Sequence, residues 1–144
     1  MPGAGSLNVT VSSRPAGMRV ASLITAINVL VASGFSIAGV VSPQAVLSST
    51  DSANHASLIF ALYAAARTIP LALFALAAIY KQAVVPLTIL GALAGVVQLL
   101  DAGVGLVQSD FGKTIGPLAI AALQFAALYY LHRAKPLPSA GHAA

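Results

Sequence analysis

Two charged residues, Arg67 and Asp101, lie inside long apolar stretches of this sequence. A charge at the centre of a bilayer costs roughly 2.5–3.5 kcal/mol on insertion scales, so each should face the protein interior and find a partner. In the helices that these stretches predict, the two differ in depth by roughly 7–8 Å, which a long arginine side chain largely covers. We therefore expect an Arg67–Asp101 ion pair within the membrane.

Further polar residues fall near the same depth on all four predicted helices. Gln98 lies one turn from Asp101 and Tyr63 one turn from Arg67, each on the same helix face. Gln124 and Asn28 match this depth on the fourth and first helices. The candidate ligand-binding residues are Arg67, Asp101, Gln98, Gln124, Tyr63 and Asn28. Such a layer either holds the helices together, at about 0.6 kcal/mol per contact, or binds a ligand, and both interpretations stay open.

Several other chemistries find no support in the sequence. The chain has no cysteine, which excludes disulfides and thiolate metal sites. His55, His132 and His142 fall outside the apolar stretches, so none could hold a haem between the helices. No nucleophile–base pair is recognisable. We predict no catalytic residue, no metal site and no cofactor.

The elements that position these residues follow from composition. The chain is 58% hydrophobic and 7% charged, with a mean hydropathy of +0.92, whereas a soluble domain carries about 25% charged residues. Backbone groups in lipid must be hydrogen-bonded internally, which favours helices. The sequence predicts an all-α integral membrane four-helix bundle, antiparallel and up-down-up-down. The predicted spans cover residues 20–41, 56–80, 84–107 and 115–131.

The two ends of the chain are predicted to be disordered, the leader over 1–17 and the tail over 134–144, around a transmembrane domain at 18–133. Arg14 and Arg19 before an apolar run also suit a secretory signal peptide. The run is longer than the 7–15 residues typical of such a peptide, so we favour an uncleaved first helix.

Cations set the expected orientation, because Lys and Arg concentrate on the cytoplasmic side. Lys113 falls on one side of the predicted bundle. The other side carries Arg14, Arg19, Lys81, Arg133 and Lys135. We predict a multi-pass protein of the cell inner (plasma) membrane with both termini cytoplasmic. The membrane also accounts for the basic pI of about 9.9, and no nucleic acid is expected as a partner.

Small residues predict close helix packing. Gly91 and Gly95 form a GxxxG pattern on the face of the third helix that also carries Gln98. Packing within the monomer is the favoured use, while a homo-oligomer or another membrane protein is the alternative partner. Pro70 should kink the second helix near Arg67.

The sequence resembles the DoxX-like small four-helix bacterial membrane proteins. The resemblance rests on size, four spans, the segment Tyr63-Ala-Ala-Ala-Arg67 and the segment Gln98-Leu-Leu-Asp101. It implies the fold and topology given above, over roughly residues 20–132. Some members of that group are linked to quinone-dependent thiosulfate oxidation, and many have no assigned activity.

Three functions are therefore compatible with the sequence. The first is an accessory or structural membrane subunit without catalytic machinery. The second is a carrier or binding protein for a small anionic or amphipathic ligand at Arg67 and Asp101. The third is a quinone- or lipid-linked membrane redox subunit. A cavity of several hundred Å³ at these two residues would favour the second function, and a filled core the first.

Overall fold

The computed structural model describes residues 16–47 and 52–133, and this part of the chain forms four long α-helices. A short 3₁₀ turn, Pro43–Ala45, follows the first helix. The helices are α1 (Ala16–Val41), α2 (His55–Tyr80), α3 (Val84–Val107) and α4 (Phe111–Arg133). Each is long and apolar enough to cross a membrane, and at ~1.5 Å per residue the longest reach ~39 Å. The predicted all-α four-helix membrane bundle is confirmed.

Two helices begin about one turn before the predicted membrane spans. α1 already begins at Ala16, because a helix can continue into the interfacial region beyond its apolar stretch. α4 begins at Phe111 instead of 115. Asp110 provides the reason, since its Oδ1 accepts the Lys113 backbone N–H at 3.1 Å and caps the helix. The predicted leader (1–17) therefore overlaps α1, and residues 1–15 and 134–144 lie outside the described residues.

The connections place consecutive helices antiparallel. Gln82 and Ser109 both adopt φ = 54°, and each reverses the chain within a few residues, between α2 and α3 and between α3 and α4. Asn54 and Ser57 form a capping box that starts α2 after the longer first connection. α2 continues through Pro70 to Tyr80 as a single helix. The bundle thus has a Lys81 end, with the α2–α3 turn, and a Lys113 end, with the other two connections.

Glycines allow α3 to lie close against α4. A Cβ atom at Gly105 would lie 2.5 Å from the Lys113 backbone carbonyl carbon, and one at Gly95 would lie 2.9 Å from the Phe125 ring. At Gly91 it would lie 2.8 Å from the Gln124 amide nitrogen. The predicted use of the GxxxG pattern for packing within the chain is confirmed.

The apolar core occupies the half of the bundle near Lys81. One cluster joins all four helices, and a second joins α1, α2 and α3 further along the bundle. Their buried members are Met18, Ala21, Ala78, Leu87 and Leu131 in the first cluster, and Val29, Ala72, Ala75 and Ala94 in the second. Both clusters hold α2 and α3 together. Towards the Lys113 end α2 and α3 both line a cavity, and neither buried apolar cluster joins them there.

Candidate functional site

A cavity of about 900 Å³ lies in the half of the bundle towards Lys113. Side chains from all four helices line it, together with Pro43, Val46 and Leu47 of the first connection. The wall is mainly apolar, and its charged members are Arg67 on α2, Asp101 on α3 and Lys113 on α4. This volume lies within the range of about 300–1,000 Å³ that is typical of small-molecule sites.

Arg67 and Asp101 line this cavity together without forming the predicted ion pair. Across residues 16–47 and 52–133 the one ion pair joins Lys113 to Asp110. Both Arg67 and Asp101 have exposed side chains. The prediction was wrong because it assumed that α2 and α3 stay in contact along their full length, whereas the cavity separates them at this level.

The amide side chains of the predicted layer form a buried hydrogen-bond chain, which we call the amide chain. Gln98 Nε2 donates to Asn28 Oδ1 at 2.8 Å, and Asn28 Nδ2 donates to Gln124 Oε1 at 3.1 Å. Gln124 Nε2 then donates to Thr25 Oγ1 at 2.9 Å. All four residues are at most 3% exposed. The amide chain connects α1, α3 and α4 and leaves little room for a ligand among these helices.

Gln98 joins the amide chain to the cavity. Its nitrogen bonds to Asn28, and the residue also lines the cavity wall. Its carbonyl oxygen accepts no hydrogen bond from the described residues. Among those residues, Ser22 Oγ is the one buried side-chain polar atom without a partner, so the Gln98 oxygen is accessible and faces the cavity. Gln98 thus presents a fixed acceptor, because its amide is held from behind.

Tyr63 belongs neither to the amide chain nor to the cavity wall. Its side chain is 58% exposed and is not part of the cavity wall. Because Tyr63 lies one turn along α2 from Arg67, we expected both side chains on the same helix face. The cavity-facing side of α2 instead carries Phe60, Ala64 and Thr68. Of the six predicted residues, three therefore contact the cavity, namely Arg67, Asp101 and Gln98.

Hydrogen bonds between α1 and α2 complete one wall of the cavity. Thr68 Oγ1 donates to Ser36 Oγ at 2.9 Å, and Ser33 Oγ donates to the Thr68 backbone carbonyl oxygen at 3.4 Å. Ser36 and Thr68 both line the cavity. The α1–α2 side is therefore fixed by polar contacts, in contrast to the α2–α3 side.

Lys113 is a cavity residue that the sequence did not single out as one. Its Nζ donates to the Val46 backbone carbonyl oxygen at 3.0 Å and to Gln108 Oε1 at 3.1 Å, and lies 3.4 Å from Asp110 Oδ2. These contacts satisfy its charge and tie α4 to the first connection. The backbone N–H of Lys113 and then its side chain hold the pKa of Asp110 below its usual range, so this carboxylate stays charged near neutral pH.

The arrangement is that of a binding site with separated charges. It offers one guanidinium that donates, one carboxylate that accepts and one amide oxygen that accepts, within a largely apolar wall. Within the described ranges no three His, Cys, Asp or Glu side chains lie close enough to hold a metal ion. The geometry can bind a molecule that carries both apolar and polar parts.

No family model matches the sequence, no curated protein matches it, and no solved structure matches the fold. The DoxX-like resemblance stays a prediction.

Proposed function

We propose that this protein binds an amphipathic ligand with an anionic group inside the membrane, in the cavity near the Lys113 end. The observation that carries the proposal is Arg67 on the wall of a cavity of about 900 Å³, where it forms no ion pair with any described residue. The apolar part of the wall would bury the apolar part of such a ligand, which is the main source of affinity in such a site.

The position of Arg67 supports an anion as its contact. Arg67 lies about twelve residues from the start of α2, so its Cα is ~18 Å along the helix from that end. A charge at that depth is costly unless water, a partner or a ligand satisfies it. An anionic group in the cavity would form bidentate hydrogen bonds with the planar guanidinium.

The orientation of the protein determines from which side the cavity is reached. At the Lys81 end the described residues carry Arg19, Lys81 and Arg133, and in the sequence Arg14 precedes α1 and Lys135 follows α4. Lys113 is the cation at the other end. We infer that the Lys81 end is cytoplasmic, that the protein lies in the inner (plasma) membrane, and that the cavity belongs to the outer half of the bilayer.

A binding experiment with a charge control tests the proposal. The full chain, purified in detergent, is analysed by native mass spectrometry for retained membrane lipids and for added anionic amphiphiles. We expect Arg67→Gln to weaken retention about tenfold or more, the loss associated with a charge-assisted hydrogen bond. Arg19→Gln removes an exposed charge at the Lys81 end and should leave retention unchanged. Equal retention by both variants would contradict the proposal.

A second candidate is the accessory or structural subunit, and the amide chain is the observation that favours it. Three of the six predicted polar residues bond to one another in the packed core, as interhelical contacts do in membrane proteins. This role predicts that Arg67→Leu combined with Asp101→Leu keeps the function of the protein. The quinone-linked alternative requires a quinone among the molecules that the same mass spectra detect.

A further inference from the structure

We infer that the cavity selects a phospholipid whose head group carries both a phosphate and a primary ammonium. The inference rests on the proposed function and specifies its ligand class. It comes from the opposite charges that α2 and α3 present to the same cavity, together with the free oxygen of Gln98.

The cavity presents complementary groups for both charges of such a head group. Arg67 on α2 offers donors and a positive charge, which suit a phosphate. On α3, Asp101 and Gln98 lie three residues apart and therefore on one helix face. Together they offer a carboxylate and an amide oxygen, both acceptors, and a primary ammonium has three N–H donors to satisfy them. Because Arg67 and Asp101 are not paired with each other, both are available.

Lys113 does not alter this balance of charge. Its Nζ is within hydrogen-bonding distance of two oxygens and next to the Asp110 carboxylate, so the protein already satisfies it. The charges available to a ligand are thus one positive and one negative. A ligand with only an anionic group would leave Asp101 without a partner near its own negative charge, which is unfavourable in a poorly solvated site.

The depths of the two charges match the order of groups in a phospholipid. Asp101 lies about six residues from the Lys113 end of α3, or ~9 Å, whereas Arg67 lies ~18 Å from the same end of the bundle. In a phospholipid whose chains point to the middle of the membrane, the phosphate lies deeper than the ammonium. The deeper guanidinium therefore meets the phosphate, and the shallower carboxylate meets the ammonium.

The acyl chains of such a lipid could extend from the cavity into the bilayer between α2 and α3. Phe60 on α2 and Leu100 on α3 both line the cavity and are 73% and 66% exposed. Such large apolar side chains at the rim would face lipid. A cavity of about 900 Å³ cannot hold a whole two-chain lipid, so the head group would occupy the cavity while the chains extend between these two helices into the bilayer.

The experiment compares three lipids that share the same acyl chains. The full-length protein in detergent is titrated with phosphatidylethanolamine, phosphatidylcholine and phosphatidylglycerol and followed by native mass spectrometry. We expect phosphatidylethanolamine to bind about tenfold more tightly than the other two lipids. A tenfold difference in affinity corresponds to about 1.4 kcal/mol, the size of a typical net hydrogen-bond contribution. Phosphatidylcholine has no N–H donor for Gln98, and phosphatidylglycerol has no cation for Asp101. Equal affinity for all three lipids would overturn the inference.

Variants separate this inference from the proposed function. Asp101→Asn should abolish the preference for phosphatidylethanolamine over phosphatidylglycerol, while Arg67 still binds the phosphate of both lipids. Asp101→Glu keeps a carboxylate and should retain part of this preference. Tyr63→Phe, which removes a polar group of α2 outside the cavity wall, is the control and should keep the preference. If lipids bind through Arg67 without any preference, the inference fails and the proposed function stands. If no lipid depends on Arg67, both fail.

Discussion

Two sets of polar side chains in the bundle differ in how their hydrogen-bonding groups are satisfied. Asn28 and Gln124, at mid-membrane, are buried and bonded to each other, and Gly91 lets α3 approach Gln124 closely. Arg67, at a similar depth, and Asp101, nearer the Lys113 end, are not paired with each other and line the wall of a cavity. The first pair forms part of the core, while the second pair costs free energy that a ligand would recover. Burial with partners indicates a structural role, and exposure in a cavity without partners indicates a binding role.

The close approach of α3 and α4 should be the most sensitive feature of the packed region. Gly105→Ala would place a methyl group 2.5 Å from the Lys113 backbone. We expect a loss of about 3 kcal/mol, at the upper end for overpacked sites, because backbone atoms cannot move aside as a side chain can. Gly103→Ala is the matched control, since a Cβ there meets nothing within 4 Å. Thermal unfolding in detergent measures both, and equal melting temperatures would show that the helices are not in close contact.

Removing one member of the amide chain should cost less but still be measurable. Gln124→Leu leaves Asn28 Nδ2 without its acceptor in the core. We expect a loss of about 1–3 kcal/mol from this unsatisfied donor. His132→Leu, at an exposed position in the last turn of α4, is the control and should change stability by about 0.5 kcal/mol or less. Denaturation in mixed micelles gives both values, and a Gln124→Leu protein as stable as the control would break the distinction between the two regions.

The cavity charges should respond in the opposite direction. Arg67→Leu removes a charge that makes no ion pair in the described structure, so we expect stability to stay within about 0.5 kcal/mol or to rise. Lipid retention should fall in the same protein. A marked loss of stability in ligand-free protein would instead place Arg67 among the residues that hold the bundle together.

The smallest effect should come from Asp110 at the Lys113 end. Its lowered pKa means that its contribution to stability is complete above about pH 4, the usual value for an unfolded aspartate, and is lost as pH falls through the lower folded value. Amide hydrogen exchange at the first turn of α4, corrected for intrinsic rates, should therefore accelerate as pH falls below about 4. Asp110→Asn, which keeps a capping oxygen, should remove the pH dependence while largely keeping the protection.

Much of this architecture was predictable, because span lengths and apolar composition specify four helices whatever their detailed packing. The depths of Asn28, Gln98 and Gln124 were also predictable from residue counts, and these residues do meet. The spacing of α2 and α3 was not, since a tight turn fixes their separation only near Lys81. The Arg67–Asp101 pair depended on that spacing and was predicted wrongly, whereas Tyr63 was misplaced because the cavity meets the side of α2 that carries Phe60 and Ala64. Thr25, one turn from Asn28, could have been assigned to the amide chain from its spacing alone.

Cysteine accessibility tests the division of the bundle most directly, because the chain has no cysteine of its own. Ala64 lines the cavity, Ala121 is 0% exposed, and Ala126 is exposed but lies outside the cavity wall. We expect a hydrophilic thiol reagent to label Ala64→Cys in lipid-depleted protein in detergent, and to leave Ala121→Cys and Ala126→Cys unlabelled. A lipid that fills the cavity should protect Ala64→Cys. Failure to label Ala64→Cys in lipid-depleted protein, or equal labelling at all three positions, would contradict the account.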